Sequence, residues 1–260
     1  MGTKMGNAPI ILILGQIRFN PVQQMASFVD GIQEQFRKLR FAGFVQDELK
    51  GLHVDTRSAT PQVDIRSESR WRFTDSHKTS EFLLSRNSLT FQTTAYETKE
   101  MFLDGFLKGI DVIHRAAQLE YVEGIGIRTI DAVVPVKGEN LRDYLKPQLL
   151  GFYESDLGDV KHSILEGVFS FAVNSLLVSR VAILKGALGL PLDLMPIVLS
   201  IKPKFTDTNG DHAILDNDRS EQIQFDFDIE EIRKKFFMLK VDVSKAFYNA
   251  VTEGALQRWK

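Results

Sequence analysis

Two stretches of this sequence, PIILILGQIRF (Pro9 to Phe19) and YVEGIGIRTIDAVVP (Tyr121 to Pro135), carry apolar side chains at both odd and even positions. A half-exposed strand alternates apolar with polar residues, so runs this continuous belong to strands covered on both faces. That requirement restricts the fold more than any other feature. The 260 residues, 43% hydrophobic and 25% charged, suffice for one large or two small domains whose core needs no covalent staple.

The pattern between these runs supplies the remaining elements. Asn20-Pro21 ends the first, after which Val22, Met25, Val29, Ile32, Phe36 and Leu39 recur at steps of three and four and predict an amphipathic helix. Residues 46–64 are charged and turn-rich. Three short alternating runs follow. In IRSESRWRF, Ile65, Trp71 and Phe73 share one face and Arg66, Glu68, Arg70 and Arg72 the other; EFLLSR and SLTFQTT are joined by a hairpin turn at Arg86-Asn87. Tyr96 to Arg115 predicts a second helix with Phe102, Phe106, Ile110 and Ile113 inward, and with Gly105 and Gly109 on a flank that a sheet can approach closely. This order of β, α, β-meander, α, β predicts an elaborated split βαβ (ferredoxin-like) unit with its helices on one face.

Residues 138–160, with Gly138, Asn140, Pro147, Gly151 and Gly158, mark a boundary. Beyond it SILEGVFSFAV, SLLVSRVAIL, MPIVLSIKPKF, HAILDND and EQIQFDF read as strands of a second antiparallel sheet, with EGVFSFAV in its core. Asp228 then caps a helix from Ile229 to about Trp259, with Ile232, Phe236, Leu239, Val243, Phe247 and Val251 as its buried stripe. The expectation is an α+β protein of two antiparallel sheet-plus-helix halves: an N-terminal half over 1–137, a linker over 138–160, and a C-terminal meander plus long helix over 161–260. Both halves close a meander with a long helix, a parallel that suggests a distant duplication; residue identity is too low to establish one.

Absent residues exclude several chemistries. Without cysteine there is no disulfide, thiolate nucleophile or Cys-ligated metal. The start, MGTKMGNAPIILILG, lacks the length and cleavage site of a signal peptide, and Gly6 stands where a myristoylation signal wants Ser or Thr. Val181 to Ile201 approaches membrane-span length, yet Lys185, Pro191, Asp193 and Pro196 interrupt it and favour two strands, or a strand and a loop. A cytoplasmic protein without a membrane partner is the expectation. The formal net charge of −2 argues against a dedicated nucleic-acid binder.

Gly124-Ile125-Gly126-Ile127-Arg128 has the glycine spacing of a phosphate-cradling loop, but no Lys-Ser/Thr pair and no helix start follows, so the stretch reads as strand. Its glycines then serve close approach by a helix or by the other half of the chain. Arg128, on a strand covered on both sides, needs an anion. Arg18 in GQIRF poses the same problem. Two readings stand: the pair frames a small anion site, or each meets a carboxylate such as Asp131, Glu97 or Asp104. His53, His77, His114, His162 and His212 lie in separate segments without metal-ligand spacing, and TDTNGDHAILDND departs from a calcium loop at its glycine, so neither a metal nor a cofactor is expected. The exposed sheet face with Arg66, Arg70, Arg72, Thr90, Gln92 and Thr94 is the candidate surface for a partner or for phosphates, or else a solvated surface with Glu68 and Glu81 as counterions.

GNAPIILILGQIRF, WRFTDS with FLLSRNSLTFQTTAYETKEMF, GIGIRTIDAV, and the C-terminal AILDNDRSEQIQFDFDIEEI with VDVSKAFYNAVTEGALQRW resemble the landmarks of a sporadically distributed, uncharacterised prokaryotic family of about this length. In that family the GIGIRTID strand usually reads Arg-Ile-Gly-Leu-Arg-Tyr-Ile-Asn; Gly126 and Arg128 match, while Gly124, Thr129 and Asp131 depart from it. No activity is established for the family. Its patchy distribution implies mobile gene modules such as defence, immunity or toxin-antitoxin loci. The leading expectation is therefore a non-enzymatic protein with a protein partner or a second copy of itself, ahead of nucleic-acid or nucleotide binding and of a hydrolase-type enzyme, for which no acid/base constellation stands out.

Overall fold

The computed structural model describes residues 5–55 and 62–260, with side chains described outside 49–55 and 62–66. Its elements run β1 (Ile10–Phe19), α1 (Met25–Lys38), β2 (Gly43–Asp55), β3 (Gln62–Thr74), β4 (Ser80–Leu84), β5 (Ser88–Thr93), α2 (Lys99–Ala117) and β6 (Tyr121–Val133). After three short 3-10 turns come β7 (His162–Ala172), β8 (Ser175–Ala187), α3 (Pro203–Thr206), β9 (Asn209–Glu221), β10 (Phe225–Asp226), α4 (Ile229–Ala250) and α5 (Glu253–Arg258). The chain is α+β, and its described strands pair antiparallel.

All ten strands among the described residues belong to one sheet, ordered β2-β3-β4-β5-β1-β6-β9-β8-β7, with β10 beside the start of β6. The first half contains the β4-β5-β1-β6 order of a split βαβ unit, extended by the β2-β3 hairpin. Instead of forming a second sheet, the later strands continue the first, because β9 pairs with the free side of β6 from Ile125↔Glu221 to Val133↔Ala213. Part of the stretch read as turn-rich is strand β2, paired with β3; residues 56–61 lie outside those described.

The long helices α1, α2 and α4 lie on one face. Met25, Val29, Ile32 and Phe36 of α1, Phe102, Phe106, Ile110 and Ile113 of α2, and Ile232, Phe236, Leu239 and Val243 of α4 are buried in one cluster with Ile13, Ile17, Phe73, Phe82, Phe91 and Ile127 of the sheet. Thr98 Oγ1 caps α2 by accepting from Met101 N–H at 3.2 Å, and Asp228 caps α4 by accepting from Glu230 N–H at 2.8 Å. Gly109 permits the approach foreseen for it: a Cβ there would sit 2.2 Å from the Phe82 ring. The C-terminal helix breaks at Val251, and Thr252 caps α5. Residues 141–150 pack onto the body of the protein, with Leu141, Tyr144, Leu145 and Leu150 buried beside Phe247, Val251 and Trp259, whereas residues 151–160 are mostly exposed.

The opposite face is covered only in part. MPIVLSIKPKF forms no strand; it follows a short turn at Leu192–Leu194, ends in α3, and packs Leu199 and Phe205 onto Leu12, Ile130 and Ile214. Val181 to Ile201 is thus a strand and a loop, and no helix among the described residues is long and apolar enough to cross a membrane. Among the described residues nothing covers the rest of that face.

Candidate binding face and free edge

Strand register lays out the open face as a grid, because residues opposite one another across a ladder point the same way. One row reads Arg72, Leu83, Thr90, Gln16, Gly126, Ser220 across β3, β4, β5, β1, β6 and β9. The next reads Glu81, Gln92, Leu14, Arg128, Asp218. On the other side of the first row, Ser88, Arg18 and Gly124 are neighbours. Apart from Arg72 and Glu81, these residues line a cavity of about 520 Å³ that also reaches Arg70, Asn87 and Leu194.

Arg128 is buried and its charge is met from within. Nε and Nη2 donate to Asp216 Oδ1 and Oδ2 at 2.7 and 2.8 Å, Nη2 donates to Asp193 Oδ1 at 3.2 Å, and Nη1 donates to Asp193 Oδ2. Burial works against the cation, but the hydrogen bonds to Asp216 and Asp193 outweigh it and hold the guanidinium above its ordinary pKa. Asp193 in turn is held below the usual carboxylate range by that bond. Asp131 does not take this role, since it lies on the helix-bearing side, where Lys240 is its neighbouring cation; Asp104 pairs with Arg233 at 2.7 Å.

Arg18 differs from Arg128 although both line the cavity. It is exposed, not covered, and makes no ion pair among the described residues. Arg70 and Arg72 are exposed only in part and carry their own carboxylates. Arg70 forms a bidentate pair with Asp47 at 2.9 and 2.9 Å, and Arg72 reaches Asp47 at 3.5 Å and the fully buried Glu81 at 3.1 Å. Hydrogen bonding to Arg70 keeps the Asp47 carboxyl low. Gln92 donates to Glu81, Gln16 donates to Thr90 Oγ1 at 2.9 Å, and Thr94, under the cover, donates to Ser200 O at 2.7 Å. Arg66 stands opposite Gly51 in the β2-β3 ladder; its side chain, like that of His53, lies outside those described.

The two glycines separate in role. A Cβ on Gly124 would meet Glu221 O of β9 at 3.0 Å, so this residue does let the later half approach. A Cβ on Gly126 would find only ordinary contacts at 3.6 Å. Asp218 sits across from Arg128 without an ion pair of its own, and burial pushes its carboxyl up against the pull of Arg128. Among the histidines, His212 is fully buried and tied to backbone, with Nδ1 3.0 Å from Gly210 O and Nε2 accepting from Gly189 N–H at 3.3 Å. His114 stacks on Phe227 at 3.9 Å. Among the described residues no cluster of His, Asp and Glu could hold a metal ion.

A second feature lies at the end of the sheet and was misread from the sequence. EGVFSFAV is no core strand: it belongs to β7, which among the described residues pairs with β8 alone. Leu165, Phe169 and Phe171 face the helix side, but α4 lies over β6 and β9 and touches β8 only at its margin. Ile164 is 64% exposed, Val168 58% and Phe169 54%. Phe171 is partly stacked by the Arg219 guanidinium at 4.3 Å, and the single charge on the strand, Glu166, accepts from Arg180 Nε. The result is an unpaired ladder edge, apolar on both faces and nearly free of charge. No family model matches the chain, and no curated protein is significantly similar to it.

Proposed function

We propose that this protein acts by binding rather than catalysis, as an interaction subunit that takes an extended segment of a partner protein onto the edge of β7. The observation that carries the reading is the exposed apolar edge strand. Natural edge strands are blunted by charge, proline or cover; β7 has no charge or proline along Val168 to Phe171, and among the described residues no helix or loop covers it there. Half-exposed side chains of this size leave on the order of 600 Å² open, close to the roughly 800 Å² that each partner contributes to a specific interface. Strand addition satisfies the free N–H and C=O groups, and the apolar faces select a segment apolar at both odd and even positions.

This edge replaces the arginine face as the favoured surface. Arg70 and Arg72 already hold Asp47 and Glu81, so an outside phosphate would have to displace a carboxylate of the chain itself. The mobile-module setting implied by the family resemblance makes the product of the adjacent gene, a defence, immunity or antitoxin partner, the first candidate. Co-purification of that product with the tagged chain is the test. Wild type should retain it, and Val168→Lys with Phe169→Lys should release it. A wild-type chain that sediments as a monomer and retains nothing refutes the proposal; a dimer that the lysine variant dissolves would replace the partner with a second copy.

A further inference from the structure

The cavity on the face opposite the long helices contains a residue that packing does not explain. Gly126 sits in the middle of a central strand, where glycine is destabilising. Its backbone does not occupy the left-handed region, and a Cβ would meet Arg219 O and Ser220 Cβ at an unstrained 3.6 Å. The fold would accept alanine there. What glycine does provide is an open floor.

The groups around that floor define a ligand. Of the three arginines that line the cavity among the described residues, Arg70 is held by Asp47 and Arg128 by Asp216 and Asp193, which leaves Arg18 as their cation available to an incoming anion. The neutral groups beside it are hydroxyls and amides: Gln16, Ser88, Thr90, Ser220 and Gln222. Asp218, without an ion pair, stands four residues further along the sheet, where it can accept hydroxyl protons. Glu68 and Glu221, the other carboxylates of the lining, are engaged by Arg86 and Arg219. Among the described residues no aromatic side chain is part of the lining, so they offer a nucleobase no stacking surface. A volume of about 520 Å³ is that of a small-molecule pocket.

We propose that this cavity binds a small polyhydroxylated molecule carrying one anionic group, a sugar phosphate or a sugar acid, with the anion on Arg18 and the hydroxyls over Gly126 toward Ser220 and Asp218. The proposal is independent of the β7 edge, since the residues involved lie on other strands.

Titration calorimetry on the full chain tests it, with ribose 5-phosphate, glucose 6-phosphate and glucuronate as probes and with glucose and inorganic phosphate as the two half-ligands. At least one probe should bind about tenfold or more tightly than either half-ligand, as expected for a charge-assisted contact added to a set of neutral ones. Arg18→Ala should weaken that probe about tenfold, and Gly126→Val, which fills the floor, should abolish its binding. Gly126→Ala should keep the wild-type melting temperature, and if the valine variant does not fold, Gly126→Ala and Arg18→Ala together decide the matter. Probes that bind no better than phosphate or glucose alone overturn the proposal, and so does binding that survives unchanged in Arg18→Ala or in the folded Gly126 variants.

Discussion

Replacing Arg128 by leucine tests how closed the ion-pair cluster is. The substitution leaves Asp216, whose side chain is 3% exposed, without its bidentate partner, and only Arg180 Nη1 remains at 3.3 Å. Asp193 loses the same partner but is 63% exposed, so water can take over its hydrogen bonds. Breaking a buried pair from one side costs about 3–5 kcal/mol, whereas an exposed pair is worth about 0–1. With Arg180 still within reach of Asp216, Arg128→Leu should cost about 3 kcal/mol and Asp193→Ala less than about 1. Arg128→Leu combined with Asp216→Leu removes both buried charges and should recover most of the loss, because a well-packed apolar pair is about as stable as the ion pair it replaces. Urea denaturation at neutral pH of wild type, Arg128→Leu, Asp216→Leu and the double variant closes the double-mutant cycle, with Asp193→Ala measured beside them, provided that the m-values agree. Equal costs for Arg128→Leu and Asp193→Ala, or a double variant no better than the single one, would refute the reasoning. Either result would mean that Asp216 is hydrated and that Arg128 does not depend on it.

Other expectations follow from single sites. Asp131 is buried, and burial raises its carboxyl from 3.8 to about 7 despite the nearby Lys240; the native state therefore holds a proton that the unfolded state has released between about pH 4 and 7, and stability should fall as pH rises through that window, by at most about 4 kcal/mol. Asp131→Asn should flatten that slope in denaturation curves taken at stepped pH, and parallel curves for the two proteins would count against the burial argument. Gly109→Ala drives a methyl into Phe82, itself stacked on Phe91 at 4.6 Å, and should cost about 1–3 kcal/mol, whereas Gly31→Ala on the open side of α1 should add about 0.5–1 kcal/mol. Thermal melts of the two variants should shift in opposite directions. Because Val168 and Phe169 are exposed, the double lysine variant should keep the wild-type unfolding free energy in urea to within about 0.5 kcal/mol per site, which separates lost binding from lost folding.

The helices were legible because a stripe at steps of three and four has one structural meaning, and the cap at Asp228 marked the start of α4; Thr98, which caps α2, lies inside the stretch read as helix from Tyr96. The need of Arg128 for an anion was legible for the same kind of reason: a cation among apolar residues must be met. Its partner was not, since Asp216 lies 88 residues away and is brought close only by the register of β6 on β9. Two meanders likewise read the same whether they form two sheets or share one. MPIVLSIKPKF looked like a strand because its side chains are apolar, but they are apolar in order to cover Ile130 and Ile214, not to join a ladder. Arg18 was placed among the covered residues because its strand is continuous in apolar character, whereas the cover stops short of its end of β1.

One rule links the correct and the incorrect readings of the strands. A strand apolar on both faces demands cover on both faces. For β1 and β6 the chain supplies it, with α1, α2 and α4 on one side and residues around Leu199 and Phe205 on part of the other. For β7 the demand is written in the same way, in Ile164, Leu165, Val168, Phe169 and Phe171, and among the described residues no helix or loop of the chain answers it over Val168 to Phe171. Sequence reasoning placed that strand in the core because it assumed the cover must be internal. If the rule holds for β7 as it does for β1 and β6, the missing layer comes from another molecule, and the misreading of EGVFSFAV is itself a reason to look for a partner at that edge.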